Sequence, residues 1–432
     1  MESLWCDVRK NYKFDALKGD ASTDVLIIGG GIAGILCAHR LGNLGVDYIL
    51  VESGRILEGV TANTTAKLTF QHGLIYDKLI KMHGLGVAGL YYDANREAIL
   101  KFSKLLKNID CDFEEKDSYI YSLDDKAKIE REVAALNKIG CRADFLEEIE
   151  LPLKIEGAVR VENQAQFHPL KALLAIAKGL NIFENTKVLE MVPDGVKTSG
   201  GTIRAKKIIV ATHFPFINKH GMYFLKMYQH RSYVLALENA QEINGMYLDE
   251  SGKGLSVREY NGLLLLGGGA HRTGKKGSAW EVLERFAKEH YPKAKEVGRW
   301  ATQDCMTLDS MPYIGRYSKA TPNLFVATGF NKWGMSSAFL SAMILSDLVV
   351  GKPNRYAHIF SPDRSILHRQ LGINAVEAVC NLLTPTTPRC PHLGCALKYN
   401  RYEHSWDCPC HGSRFEVNGK LINNPATGDL EK

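Results

Sequence analysis

The stretch DVLIIGGGIAGILCAHRLGNLGVDYILVESGRI, residues 24–56, decides the fold. Val25 to Ile28 is a continuous apolar run, the pattern of a parallel strand buried on both faces. Gly29, Gly31 and Gly34 then spell GxGxxG, a helical stretch runs to about Gly45, and a second apolar strand, Tyr48 to Val51, ends in Glu52. Each part has a physical task. Gly29 permits a tight turn, Gly31 lets a pyrophosphate approach the backbone, and Gly34 allows the helix to lie close on the strand. The helix N-terminus offers free N–H groups and a positive dipole end to phosphates. Glu52, 18 residues beyond Gly34, is placed to accept hydrogen bonds from a ribose. A merely structural turn in an α/β domain leaves Glu52 unexplained.

Working outward, 432 residues are more than one hydrophobic core usually supports, so two or three folding units are expected. With 45% hydrophobic and 24% charged residues and a net charge of +6, the composition is that of a globular chain. No run of like charge or basic–aromatic interleaving suggests a nucleic-acid surface. The N-terminus lacks the apolar core of a signal peptide, and no stretch reaches the length of a membrane span, so a cytoplasmic location is expected. Cys6, Cys37, Cys111, Cys141, Cys305 and Cys380 are scattered without metal or disulfide spacing, as suits reduced thiols.

Two more segments of the same type lie downstream. KKIIVATH, residues 206–213, is a strand ending in small residues; residues 312–351 hold a buried strand, Leu324 to Ala327, a turn at Gly329 and a helix from near Gly334 to Gly351. On these motifs the sequence resembles the FAD-dependent D-amino-acid oxidase, glycine oxidase and sarcosine oxidase superfamily over roughly residues 20–360. The resemblance implies FAD as cofactor. It places Gly334, Met335 and Ser336 at the pyrimidine end of the flavin, where a positive helix end favours the anionic reduced form. It also implies that residues 59–73 run along the isoalloxazine, with Thr64, Thr65, Ala66 and Lys67 nearest, and that the strand around Val188 covers the adenine. The expected fold class is α/β: a Rossmann-like FAD domain of the glycine oxidase type (1–85, 156–219, 301–360) interleaved with an α+β substrate domain (86–155, 220–300). Residues 86–155 read as mostly helical, and 220–300 as short alternating strands such as SYVLAL and GLLLLGGG.

RWATQDCMTLDSMPYIG, residues 299–315, matches the glycine-oxidase pattern in spacing through Trp300, Thr307, Asp309, Pro312 and Gly315. The departure is Asp304, where amino-acid-specific relatives carry an arginine for the substrate carboxylate. An arginine clamps a carboxylate and an aspartate repels it. A cationic amine thus becomes a plausible substrate; equally, Asp304 caps or pairs within the fold. Arg258 and Lys332 are the other candidate substrate contacts, while His72, His213, His230 and His271 read as hydrogen-bonded structural histidines.

The tail is a different population. After a linker over 361–388, residues 389–432 contain Cys390-Pro-His392 and Cys408-Pro-Cys410-His411. Two thiols and two imidazoles suit a tetrahedral zinc, and equally a [2Fe-2S] cluster with histidines on one iron. CPHLGC followed by CPCHGS is similar to the two cluster loops of Rieske ferredoxins. That resemblance implies Cys390 and Cys408 on one iron, His392 and His411 on the other, and a disulfide between Cys395 and Cys410. It implies further that the Ser413 hydroxyl bonds a bridging sulfide and that NNPATGDL, residues 423–430, forms the proline loop. Phe415 stands where high-potential members have a tyrosine, which removes one hydrogen bond to sulfur and lowers the potential. So short a tail buries little core, so a small β module braced by its cluster and by docking on the flavoprotein body is expected.

Together these readings predict an FAD-dependent dehydrogenase acting on an amine-type C–N bond, its Rieske cluster relaying single electrons to or from a carrier protein such as a ferredoxin. The alternatives are an H2O2-producing amine oxidase with a structural metal tail, a redox sensor without substrate, and a reductase fed through the cluster.

Overall fold

A computed structural model of the chain describes residues 2–251, 254–385 and 388–430. Its first sheet runs Tyr313–Arg316, Leu324–Thr328, Gly201–Val210, Ala21–Ile28, Tyr48–Val51, Ile182–Phe183, with the hairpin Val188–Val192 and Gly195–Thr198 attached to Gly201–Val210. Ala21–Ile28 pairs parallel with both Tyr48–Val51 and Gly201–Val210. Its last four residues are at most 5% exposed, and they alternate between two cores: Val25 and Ile27 face one, Leu26 and Ile28 the other. Each such side chain contributes about 1.5–3 kcal/mol by leaving water. The helices Ile32–Asn43 and Gly334–Val349 pack together on the first of these faces.

The second sheet runs Lys295–Thr307, Met227–Glu238, Leu263–Arg272, Ser256–Tyr260, Met246–Asp249, Glu114–Ser122, Gly157–Gln166, Lys67–Leu68, and Asp144–Leu146 adds to Gly157–Gln166. Gly157–Gln166 was expected with the first unit; its hydrogen bonds go to Glu114–Ser122, so it belongs to the second sheet. Lys67–Leu68 follows it there, and Lys295–Thr307 carries the second sheet past residue 300. Residues 86–155 are less helical than their pattern: Ile75–Leu106, bent at Gly84 (φ 83°), and Lys126–Lys138 are separated by the strand Glu114–Ser122, whose second half turns inward.

The expected linker contains a 15-residue helix, Arg369–Leu383. Beyond it four three-residue strands, Lys398–Asn400, Ser405–Asp407, Arg414–Glu416 and Leu421–Asn423, form a small antiparallel sheet. Its core is small: Cys390, Cys395, Leu397, Cys408, Cys410, Phe415 and Ala426.

Candidate functional site

The glycine turn is as tight as its sequence requires. A Cβ on Gly34 would lie 1.9 Å from the Gly29 carbonyl oxygen, and one on Gly29 (φ +111°) would lie 2.7 Å from the oxygen of Ala211. At Gly31 the nearest atom to such a carbon is Thr61 Oγ1 at 3.4 Å, so backbone is open to a ligand there. At the start of Ile32–Asn43 the Thr61 hydroxyl accepts from Ile32 N at 3.1 Å, while the N-cap residue of Gly334–Val349 makes no side-chain capping bond. Glu52 accepts from Gly30 N at 2.7 Å and from Gly54 N at 2.9 Å, which fixes its carboxylate beside the turn.

The 59–73 loop is pinned from several sides. Trp5 Nε1 donates to Thr64 O at 2.7 Å, and Thr64 Oγ1 accepts from Ala66 N at 3.0 Å. Arg258, read as a substrate contact, instead clamps this loop, donating to Thr65 O at 2.7 Å and Ala66 O at 3.0 Å from a site 1% exposed. The Lys67 ammonium turns to Tyr247 O and Ser256 Oγ, and burial, then Arg258, push its pKa down. His72 bridges Thr69 O and Ser336 Oγ, each at 2.8 Å, and stacks on Trp333. Gly329 (φ +71°) presses against Thr307, Met335 is buried behind Gly334, and Val188 is half-buried on its hairpin.

Strands Met227–Glu238 and Lys295–Thr307 set up the remaining geometry through their period of two. Met227, Gln229, Arg231, Gln303, Cys305 and Thr307 are buried on one face, while Tyr228, His230, Ser232, Thr302, Asp304 and Met306 stay partly accessible on the other. That second face is partly accessible, and Lys332, in a loop with positive φ at Asn331 and Lys332, is near enough for its charge to act on Asp304 and His230. Burial raises the Asp304 pKa to about 6 against the pull of Lys332 and Arg231; burial lowers that of Lys332 against Asp304. The two act on each other through charge alone, with no hydrogen bond or ion pair between their side chains. Ser232 Oγ and Thr302 Oγ1 are buried without partners on the same face. His230 is driven down to about 3, first by burial and then by Lys332, and is neutral.

In the tail, the two Cys-x-His and Cys-Pro-Cys-His loops converge. His392 Nδ1 and His411 Nδ1 lie 3.3 Å apart, and the sulfurs of Cys395, Cys408 and Cys410 all fall within 4.8 Å of one another. Hydrogen bonds from Cys390, Cys395 and Cys410 hold the Cys408 thiol well below its usual range. Cys395 and Cys410 stand as free thiols rather than as the expected disulfide, their sulfurs within 4.8 Å of each other beside that of Cys408. Ser413 Oγ accepts from Ala426 N at 3.0 Å, which ties the second cluster loop to the 423–430 segment.

This module is clamped to the buried face of the two long strands. Gln229 donates to His411 O at 2.7 Å and Gln303 to Gly412 O at 2.8 Å. Arg272 reaches Pro409 O and Cys410 O at 2.9 and 3.0 Å. Glu403 lies between Arg231 and Arg414, all three nearly buried. Asn424 donates to Thr212 O and Phe214 O.

The chain matches the family described as FAD dependent oxidoreductase over residues 24–348 and the Rieske [2Fe-2S] domain over residues 377–432. It belongs to the FAD-dependent oxidoreductases. It is 37% identical to YhfW of Bacillus subtilis, named as a Rieske 2Fe-2S iron-sulfur protein, over all of this chain and 97% of that one. Identity to the gamma-glutamylputrescine oxidoreductase of Escherichia coli is 23%, over 79% and 87% of the two chains. Among solved structures, the glycine oxidase of Geobacillus kaustophilus superposes with a TM-score of 0.68 at 20% identity, covering 80% and 99%.

This FAD-dependent oxidoreductase therefore binds FAD in its flavoprotein part and a [2Fe-2S] cluster in its tail. The residues fit both groups. The cradle at Gly31, the start of Gly334–Val349 without a side-chain cap and the orphan hydroxyls of Ser232 and Thr302 suit a polar, phosphorylated cofactor. Two thiols and two imidazoles in opposed loops suit the cluster. The Rieske domain implies an electron-transfer partner, and among the described residues no helix is long and apolar enough to cross a membrane. Sequence reasoning missed the docking residues Gln229, Arg231, Arg272 and Gln303. Their signal was polar side chains at the positions that alternation turns inward.

Proposed function

We propose that the chain is a dehydrogenase acting on an amine or amino-acid-like C–N bond, with single electrons passed on through the tail to a protein carrier. When bound, FAD accepts two electrons and a proton from the substrate, and the cluster exchanges one electron at a time, one iron passing between ferric and ferrous. One observation carries this reading: the cluster loops are fastened to one face of the strands whose opposite face carries Asp304 and the partnerless hydroxyls of Ser232 and Thr302. A tail that only scaffolded the fold would have no need to place its histidine loops there.

The chain's own residues divide the work. Gly29, Gly31, Gly34 and Glu52 are proposed to hold the dinucleotide end of FAD. Thr64, Thr65, Ala66, Lys67, Gly329, Gly334 and Met335 would line its flavin end, and Val188 its adenine. Asp304 would attract a cationic amine, Lys332 would balance its charge, and Arg258 would act indirectly by holding the 59–73 loop. Cys390, His392, Cys408 and His411 are proposed as the cluster ligands. The named activities of two relatives, on gamma-glutamylputrescine and on glycine, support a C–N substrate class.

The test is an anaerobic titration with amines and amino acids, gamma-glutamylputrescine and glycine among them, followed by visible and EPR spectra. The expected result is loss of the flavin band and appearance of the reduced-cluster EPR signal. Zinc in place of iron, or flavin bleaching with a cluster that stays oxidised, would overturn the reading.

A further inference from the structure

The segment Thr212-His213-Phe214 touches both cofactor sites. On one side it continues the strand Gly201–Val210, and the glycine turn lies directly against Ala211 and Thr212. The His213 carbonyl accepts a hydrogen bond from Thr328 Oγ1, next to Gly329. On the other side, the Phe214 ring lies edge-on to both cluster histidines, its centroid 6.4 Å from each. Phe224 adds a second edge to His411 at 6.3 Å, and Asn218 Oδ1 accepts from His392 Nε2 at 3.0 Å. The histidine edges of the cluster loops thus face the flavoprotein body.

His213 itself is unusual. It holds φ +66°, a conformation that L residues other than glycine adopt sparingly. Its Nε2 is buried without a partner, and its other contact is Gln229, the residue that donates to the His411 carbonyl. Asn424 from the tail grips the carbonyls of Thr212 and Phe214 at 2.6 and 2.8 Å. A tripeptide with a strained histidine and a buried phenylalanine, fastened at both ends, is costly to maintain, and the junction is where it has its contacts.

We propose that His213 and Phe214 are positioning residues that set the cluster histidines in register with the FAD site, and that the contact across Phe214 governs electron passage between the two. This rests on the relay reading above. No bond in the protein forms or breaks; each passage oxidises the flavin by one electron and reduces one ferric iron to ferrous.

The test uses the full holoprotein and needs no substrate. Bound flavin is photoreduced anaerobically with light and EDTA, and the cluster is followed by freeze-quench EPR. Phe214→Ala, which opens a gap beside both histidines, is expected to slow appearance of the cluster signal by about tenfold or more, with flavin content and the dithionite-reduced EPR spectrum unchanged. Phe214→Leu, which refills the volume, is expected to restore most of the rate. If Phe214→Ala loses a cofactor, Asn424→Ala replaces it, removing the two carbonyl contacts from the tail side; it should slow passage in the same direction. Wild-type rates in cofactor-replete variants would overturn this inference and leave the relay standing. A wild-type cluster that stays oxidised beside reduced flavin would overturn both.

Discussion

A methyl group at position 34 has nowhere to go, because its carbon would sit 1.9 Å from the Gly29 carbonyl oxygen in the turn that faces the dinucleotide. Gly34→Ala must move either the helix or the turn. Overpacking costs about 1–3 kcal/mol or more, so a lower melting temperature and purification without the flavin absorbance are expected. Asp304 makes a second residue-scale prediction. Its pKa, raised to about 6 by burial, means that its carboxylate is charged above that pH and neutral below it. Affinity for a cationic amine should therefore fall as pH drops through about 6. Asp304→Asn should bind such an amine weakly at every pH, with the two affinity curves meeting on the acid side. An affinity that ignores pH in the wild type would remove Asp304 from the site. At this scale the sequence was readable where steric rules are absolute, as at Gly29 and Gly34. It was not at Arg258, since an arginine gripping backbone carbonyls and one awaiting a carboxylate look alike until the fold brings Thr65 and Ala66 beside it.

The helix Arg369–Leu383 reverses the usual relation of polarity to burial. Asn374 and Asn381 are its buried residues, while Ile373, Val376, Val379 and Leu383 are between 47% and 77% exposed. The reason lies in what it covers: Asn374 Oδ1 accepts from Arg272 at 2.9 Å, and Arg272 in turn holds the Pro409 and Cys410 carbonyls. Asn374→Leu, an apolar substitution in a helix, should destabilise the protein by about 1–3 kcal/mol because it strands a buried guanidinium donor. Val376→Lys on the open face should change stability by less than about 0.5 kcal/mol. Thermal unfolding of the two variants distinguishes them, and an equal effect would refute the assigned orientation. The elements with regular alternation or apolar runs were legible in the sequence; Tyr48–Val51 lies where its pattern put it. Gly157–Gln166 was misassigned because a strand's sheet is set by its hydrogen-bond partner, and partners distant in sequence leave no local mark.

Across the whole molecule, the tail depends on the body for much of its structure. Its apolar core is seven residues, four of them cysteines, and such a core alone is too small to fold on. What replaces a larger core is a polar seam, centred on Glu403. Against the upward pull of burial, Arg231 and Arg414 hold its carboxyl below the usual range. Arg231 comes from the body and Arg414 from the tail, their side chains 4% and 5% exposed, so Glu403 joins the two parts through charge taken out of water. Removing it leaves the buried Arg231 without its carboxylate, while Arg414 keeps Asp407 at 2.9 Å; breaking a buried pair on one side costs about 3–5 kcal/mol. Glu403→Ala is therefore expected to lower the melting temperature and release iron while the flavin is retained. The pH dependence has a definite sign. A carboxyl whose folded pKa lies below its unfolded one stabilises the native state above the unfolded value, near 4.5, and loses that contribution as pH falls through the lowered native value. Acid should thus release iron from the wild type below the ordinary carboxyl value of 4.5, with the flavin lost at lower pH. The Glu403→Ala protein should release iron already at neutral pH, with little further loss in that window. Iron and flavin leaving together in both proteins would mean that the seam is not what holds the tail in place.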